Sequence, residues 1–138
     1  MDFSAVFASI NYWAVLCAAI ASFVIGGLWY SPLLFYRPWL RAAGINEEQL
    51  RHGNMALIFG ASLLLQVLAA FVLAMFLGAE VDWTFGASAG FMVGVGWVAT
   101  AFGVVYLFER RPLALFFING GYHLVVYTVM GAILGAWH

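Results

Sequence analysis

LALFFINGGYHLVVYTVMGAILGAW, residues 113–137, carries no acidic or basic side chain, and its one histidine, His123, stands close to the middle. A helix needs about 20 apolar residues to cross the hydrocarbon of a bilayer. This stretch is long enough, and reading outward from it finds three more, at about residues 11–30, 55–77 and 84–108. The pattern predicts an all-α integral membrane protein, a single membrane domain over residues 1–138 built as a four-transmembrane-helix bundle. The first helix could begin as early as Phe3, because Phe3 to Tyr30 holds no charge. A cleavable leader needs a basic start and a polar domain behind it. Met1-Asp2-Phe3 opens the chain instead, so the first helix is expected to stay.

Composition agrees. The chain is 66% hydrophobic and 8% charged, against roughly 45 to 50% and about 25% in a soluble domain. The lipid bilayer is therefore its first partner. The five basic residues are all arginines, and a net charge of -1 gives no basic patch for nucleic acid. Cys17, the single cysteine, lies in an apolar run and is expected to be a small buried hydrophobe with no disulfide.

Arginine placement sets the expected orientation. Arg37, Arg41 and Arg51 lie between the first two helices and Arg110 and Arg111 between the last two, while the termini and the Gly78 to Trp83 loop have none. Cytoplasmic loops hold the excess of basic residues. Both arginine connections should face inward and both termini outward, N-out and C-out, in the cell inner (plasma) membrane. The first connection, about residues 32–52, reads as an interfacial amphipathic loop: Pro32 ends or kinks the first helix, and PLLFYRPWLRAAG mixes large apolar residues with two arginines. Gly44 closes that piece, and Asn46 with Gln49 forms a capping box for a short turn ending near His52. Its charges read first as a solvated, orienting loop.

Phe23 to Trp29 and Phe91 to Trp97 share F-x-x-G-x-x-W, which suggests a parallel duplication of a two-helix hairpin. The third helix is rich in small residues, with Gly86, Gly90 and Gly94 at every fourth position, and Gly131 and Gly135 continue the pattern on the fourth. Lipid gives helices little hydrophobic reason to associate, so small faces that admit close backbone approach supply the packing. More small faces are present than one bundle is expected to bury, which favours a homo-oligomer.

Asn119, His123 and Tyr127 are spaced i, i+4, i+8 and form one polar stripe on the fourth helix. Counting from the helix starts puts Gln66 of the second helix level with His123, and Thr100 of the third level with Asn119. Unpaired polar groups are costly in hydrocarbon. Gln66, Thr100, Asn119, His123 and Tyr127 are therefore expected to meet as a hydrogen-bonded cluster, with Gly120 and Gly121 beside it admitting another backbone. Two readings stay open: glue that fixes helix register, and a functional site on a solute or proton path. A metal needs three or four ligands, and no Cys, Asp, Glu or second His lies near His123 inside the membrane; only a symmetric oligomer would bring copies of it together. H-E-x-x-H, G-x-S-x-G and paired intramembrane carboxylates are all missing. Neither an enzyme nor a cofactor is expected.

NYWAVLCAAIASFVIGGLWYSPLLF with the following Trp39, and the closing GYHLVVYTVMGAILGAW, resemble a family of small, mostly bacterial four-helix membrane proteins catalogued as domain of unknown function 1761. The likeness runs from about Asn11 to Trp137 and is carried most specifically by G-G-L-W-Y-S-P together with G-Y-H-L-V. The resemblance implies the fold already read from the residues and brings no activity, cofactor or catalytic residue. The functional expectation is passage or binding of a small solute or ion near the midplane. Its rival is a non-transporting assembly subunit that binds another membrane protein through the glycine face. A cavity reaching His123 would favour the first, and a dry core with an exposed glycine groove the second.

Overall fold

Short polar residues set where the helices start. In the computed structural model, which describes residues 2–138, Asp2 caps α1 (Phe3–Ser9), Asn11 caps α2 (Tyr12–Trp29) and Asn46 caps α4 (Glu47–Arg51). Asn54 likewise caps α5 (Met55–Leu77) and Asp82 caps α6 (Trp83–Val93). Each side-chain oxygen accepts backbone N–H groups that the first helical turn would otherwise leave orphaned. The Asn46–Gln49 capping box is complete in both directions. Asp82 accepts from Phe85 N–H at 2.8 Å and from the Thr84 hydroxyl at 2.7 Å, and these bonds hold its carboxyl below the usual carboxylate range. α3 spans Tyr36–Ala43, ended by Gly44 at φ 70°. A π-helical segment, Gly94–Ala99, joins α6 to α7 (Thr100–Glu109), and α8 covers Leu113–Ala136.

The described residues form no strand. Four helices are long and apolar enough to cross a membrane: α2, α5, the continuous run Trp83–Glu109 and α8. The spans agree with the sequence reading to within a residue or so at most ends. At the N-terminus they differ: Phe3 to Ser9 is a separate helix, because Ile10 turns extended and Asn11 starts α2 afresh.

α8 is the hub, packing against α2, α3, α5, α6, the π segment and α7. Its contact with α6 is backbone on backbone. A Cβ added at Gly86 or at Gly131 would collide with the other's carbonyl, one at Gly90 with the carbonyl of Tyr127, and one at Gly135 with that of Asp82. At Gly94 it would stand 3.0 Å from Leu124 Cα. The small-residue ladder that suggested an oligomer is thus consumed within one chain, and that argument for an oligomer falls away. Cys17 also departs from expectation: it is exposed, because the buried side of α2 is the Ala14, Val15, Ala18, Ala19, Ser22 face.

The packing is uneven along the bundle axis. The core, Ala14, Val15, Ala18, Ala70, Leu73, Leu77, Val126, Met130 and Leu134, joins the start of α2 to the ends of α5 and α8. α5 is buried only at Ala70, Leu73 and Leu77, so its first half stands away from the bundle. At that same end the two arginine connections meet, where Arg111 Nη1 donates to the Ala43 carbonyl at 3.3 Å. The paired F-x-x-G-x-x-W motifs sit in different settings there: Trp29 Nε1 donates to the Ile118 carbonyl at 2.9 Å, whereas Trp97, in the π segment, is 68% exposed.

Candidate functional site

Where α5 stands away, it leaves a cleft of about 770 Å³. Such a volume falls within the range of small-molecule sites, roughly 300 to 1,000 Å³. α5 lines the cleft with Phe59, Ser62 and Gln66, and α8 with Asn119, Tyr122 and His123. Phe23, Gly26 and Tyr30 of α2 and Phe102 of α7 complete the sides, and Trp39, Gln49 and Leu50 of the short helices α3 and α4 close one end. Among the described residues the lining holds no Asp, Glu, Lys or Arg.

Asn119 has its polar groups satisfied. Tyr30 Oη donates to its Oδ1 at 2.6 Å, and its Nδ2 donates to Tyr106 Oη at 2.8 Å, so one side chain ties the end of α2 to α7. Tyr122 Oη donates to the Ser22 carbonyl at 2.9 Å, reaching α2 because Gly26 has no side chain; a Cβ there would lie 3.1 Å from that hydroxyl. Gly121 admits the edge of the Trp29 indole, where a Cβ would stand 3.1 Å from Cζ2. The glycine pair expected to admit a backbone therefore admits a side chain.

His123 is held by rings instead of hydrogen bonds. It stacks on Phe102 at 5.1 Å and 27°, meets Tyr122 edge-on at 4.9 Å, and lies 6.4 Å from Tyr127. Its Nδ1 is enclosed and has no hydrogen-bond partner. Beside it the π segment begins at Gly94, where an added Cβ would stand 3.4 Å from the His123 carbonyl. Single π turns within long helices frequently mark functional positions.

The expected five-residue cluster is thus only partly assembled. Gln66, Asn119 and His123 all line the cleft, but none bonds another. Tyr127 packs against His123 and the core and lies outside the cleft lining. Thr100 is a correction: it is exposed, and its hydroxyl returns to the Gly96 carbonyl at 2.8 Å, a local bond that frees it from needing a partner across the bundle. By residue type alone, Tyr30 and Tyr106 suggest only the membrane interface, where Trp and Tyr are enriched. Measuring from the arginine end, where Tyr106 and Asn119 both stand within two turns of the Glu109 to Pro112 connection, would have paired them.

His123→Leu is a direct check on the histidine. Replacing an unpartnered buried polar group with an apolar one of similar bulk is neutral or stabilising. The thermal midpoint in detergent should stay level or rise, whereas a drop comparable to losing a core contact would mean that His123 pins the helices.

A family model for a protein of unknown function, DUF1761, matches residues 13–135. The chain belongs to this family. The match takes in the four long helices but for one residue at each outer end, Tyr12 and Ala136, and includes every residue of the cleft lining, so the cleft is built wholly from the part that matches the family. No curated protein and no solved structure matches the chain.

Proposed function

We propose that this is a multi-pass protein of the inner membrane that binds, or passes, a small solute in the cleft beside His123. The single observation behind the proposal is the cleft itself, a cavity of about 770 Å³ that reaches a histidine lacking any hydrogen bond. Ionisable residues at such depth in membrane helices commonly belong to a solute or ion path. The orientation taken is N-out and C-out, with Arg37, Arg41, Arg51, Arg110 and Arg111 on the cytoplasmic side. The cleft then opens in the cytoplasmic half, under α3 and α4. Binding without catalysis fits the lining, where the one hydroxyl of a serine, Ser62, has no base bonded to it. The rival assembly-subunit reading needs a free glycine groove, and Gly86, Gly90 and Gly94 are covered by α8.

Single cysteines in a Cys17→Ala background test both parts. With a membrane-impermeant thiol reagent on intact cells, Glu80→Cys should label and Glu48→Cys should label only after permeabilisation; the reverse would invert the orientation. Ser62→Cys, in the cleft, should then react with a small charged thiol reagent, while Leu64→Cys, 71% exposed on the outer surface of α5, should be shielded by lipid. Equal inertness at both positions would mean that no water reaches the cleft.

A further inference from the structure

We infer that the cleft takes an uncharged, flat ring bearing carbonyl acceptors and carried on an apolar tail, the chemistry of a lipid-soluble quinone. The inference rests on the solute-binding reading above and specifies its ligand. Charge is the first argument. No carboxylate, ammonium or guanidinium group lines the cleft, and an ion brought there would lose its hydration with no counter-charge to replace it. Shape is the second. Phe23, Phe59, Phe102, Tyr30, Tyr122 and Trp39 put aromatic surface on several sides, and such rings favour offset or edge packing with another ring.

Hydrogen bonding supplies the third argument. His123 Nδ1 is enclosed and unpartnered. An orphaned acceptor lone pair is tolerated more readily than an orphaned N–H, so the ring hydrogen belongs on Nε2, which is not enclosed. His123 thereby offers the cleft a donor. Gln66, on α5, lines the same cleft and offers an amide that makes no side-chain bond within the described residues. Asn119 and Tyr122 are already committed to Tyr30, Tyr106 and Ser22. Two free donors reaching one cleft from different helices, α5 and α8, match a ring with more than one carbonyl acceptor. Access is the fourth argument. α7 packs on the π segment and α8, and its contact with α5 is slight at most. Phe59, 57% exposed, stands on both the cleft and the outer surface, so an apolar tail has a lateral way out into lipid.

The test uses the full chain in nanodiscs with His52→Gln and His138→Gln, leaving His123 the only histidine, labelled with 15N. Adding a fully substituted long-tailed quinone to the lipid should shift and saturate the His123 ring signals. Gln66→Leu should weaken the response at least about fivefold, and Ser62→Trp, which fills the cleft, should abolish it. A tail-less quinone should need at least tenfold more to produce the same shift; equal potency would assign the ring to a water-borne source and overturn the tail. No shift with either compound, while Ser62→Cys still labels, would overturn the ring assignment and leave the solute-binding reading standing. Loss of Ser62→Cys labelling as well would sink both. A shift that survives in both Gln66→Leu and Ser62→Trp would arise elsewhere and would also refute the assignment.

Discussion

Gly90→Ile is expected to prevent the native bundle from forming. A Cβ at this position meets the Tyr127 carbonyl of α8, and no side chain lies between to rotate away. Accommodating the new branch means moving α6 and α8 apart along the whole Gly86 to Gly94 ladder, where Gly131 and Leu124 also face glycine. Overpacking a well-filled core costs about 1 to 3 kcal/mol when side chains can give. Here rigid backbone must move, so the loss should reach at least the upper end, about 3 kcal/mol. In lipid this contact also carries more of the total than it would in water, because apolar burial between helices adds little there. Gly60→Ala is the matched control. A Cβ at Gly60 meets nothing within 4 Å, and alanine in a helix interior is favoured over glycine by up to about 1 kcal/mol. Thermal unfolding in detergent, followed by loss of monodisperse protein, should separate the two variants clearly. Near-equal midpoints would mean that α6 and α8 do not touch as described.

Asn119→Leu should have the next largest effect. It removes both hydrogen bonds of the Tyr30–Asn119–Tyr106 chain at once and strands two tyrosine hydroxyls. An unsatisfied buried partner costs about 1 to 3 kcal/mol, and couplings between membrane helices average nearer 0.6. A total loss of about 1 to 3 kcal/mol is therefore expected. Tyr30 also packs edge-on against Trp39 at 5.3 Å and Tyr122 at 5.3 Å. Freeing it should loosen α3 over the cleft and raise the reactivity of Ser62→Cys. Tyr106→Phe removes only one of the two bonds and should cost about half as much. Equal effects of the two substitutions would place the stabilisation in Tyr106 alone.

The helices were legible because a chain this apolar leaves little choice: length, caps and arginine punctuation place them, and Asn46 and Gln49 act as their sequence suggests. That Gln66 and His123 come to one cavity was also legible, since the rise per residue is fixed. What the residues could not reveal was which groups are satisfied. Thr100 has a carbonyl one turn back and needs nothing else, whereas Asn119 found its partners among tyrosines that composition marks as interfacial. The glycine ladder was readable as a packing face, but its partner was not, because the same small-residue pattern serves a neighbouring helix or a neighbouring chain equally well. Nor does any residue announce the divergence of α5. It follows from where bulk is absent, with burial confined to Ala70, Leu73 and Leu77, and the cleft is a consequence of that unevenness.

The most direct measurement is a crystal structure of the full chain grown from a lipidic mesophase, read at the space between Gln66 and His123. Non-protein density or ordered water bridging those two side chains, with α5 standing away from α7, is the expected result. Gln66 packed dry against His123, with the first half of α5 closed onto the bundle, would contradict a binding cleft.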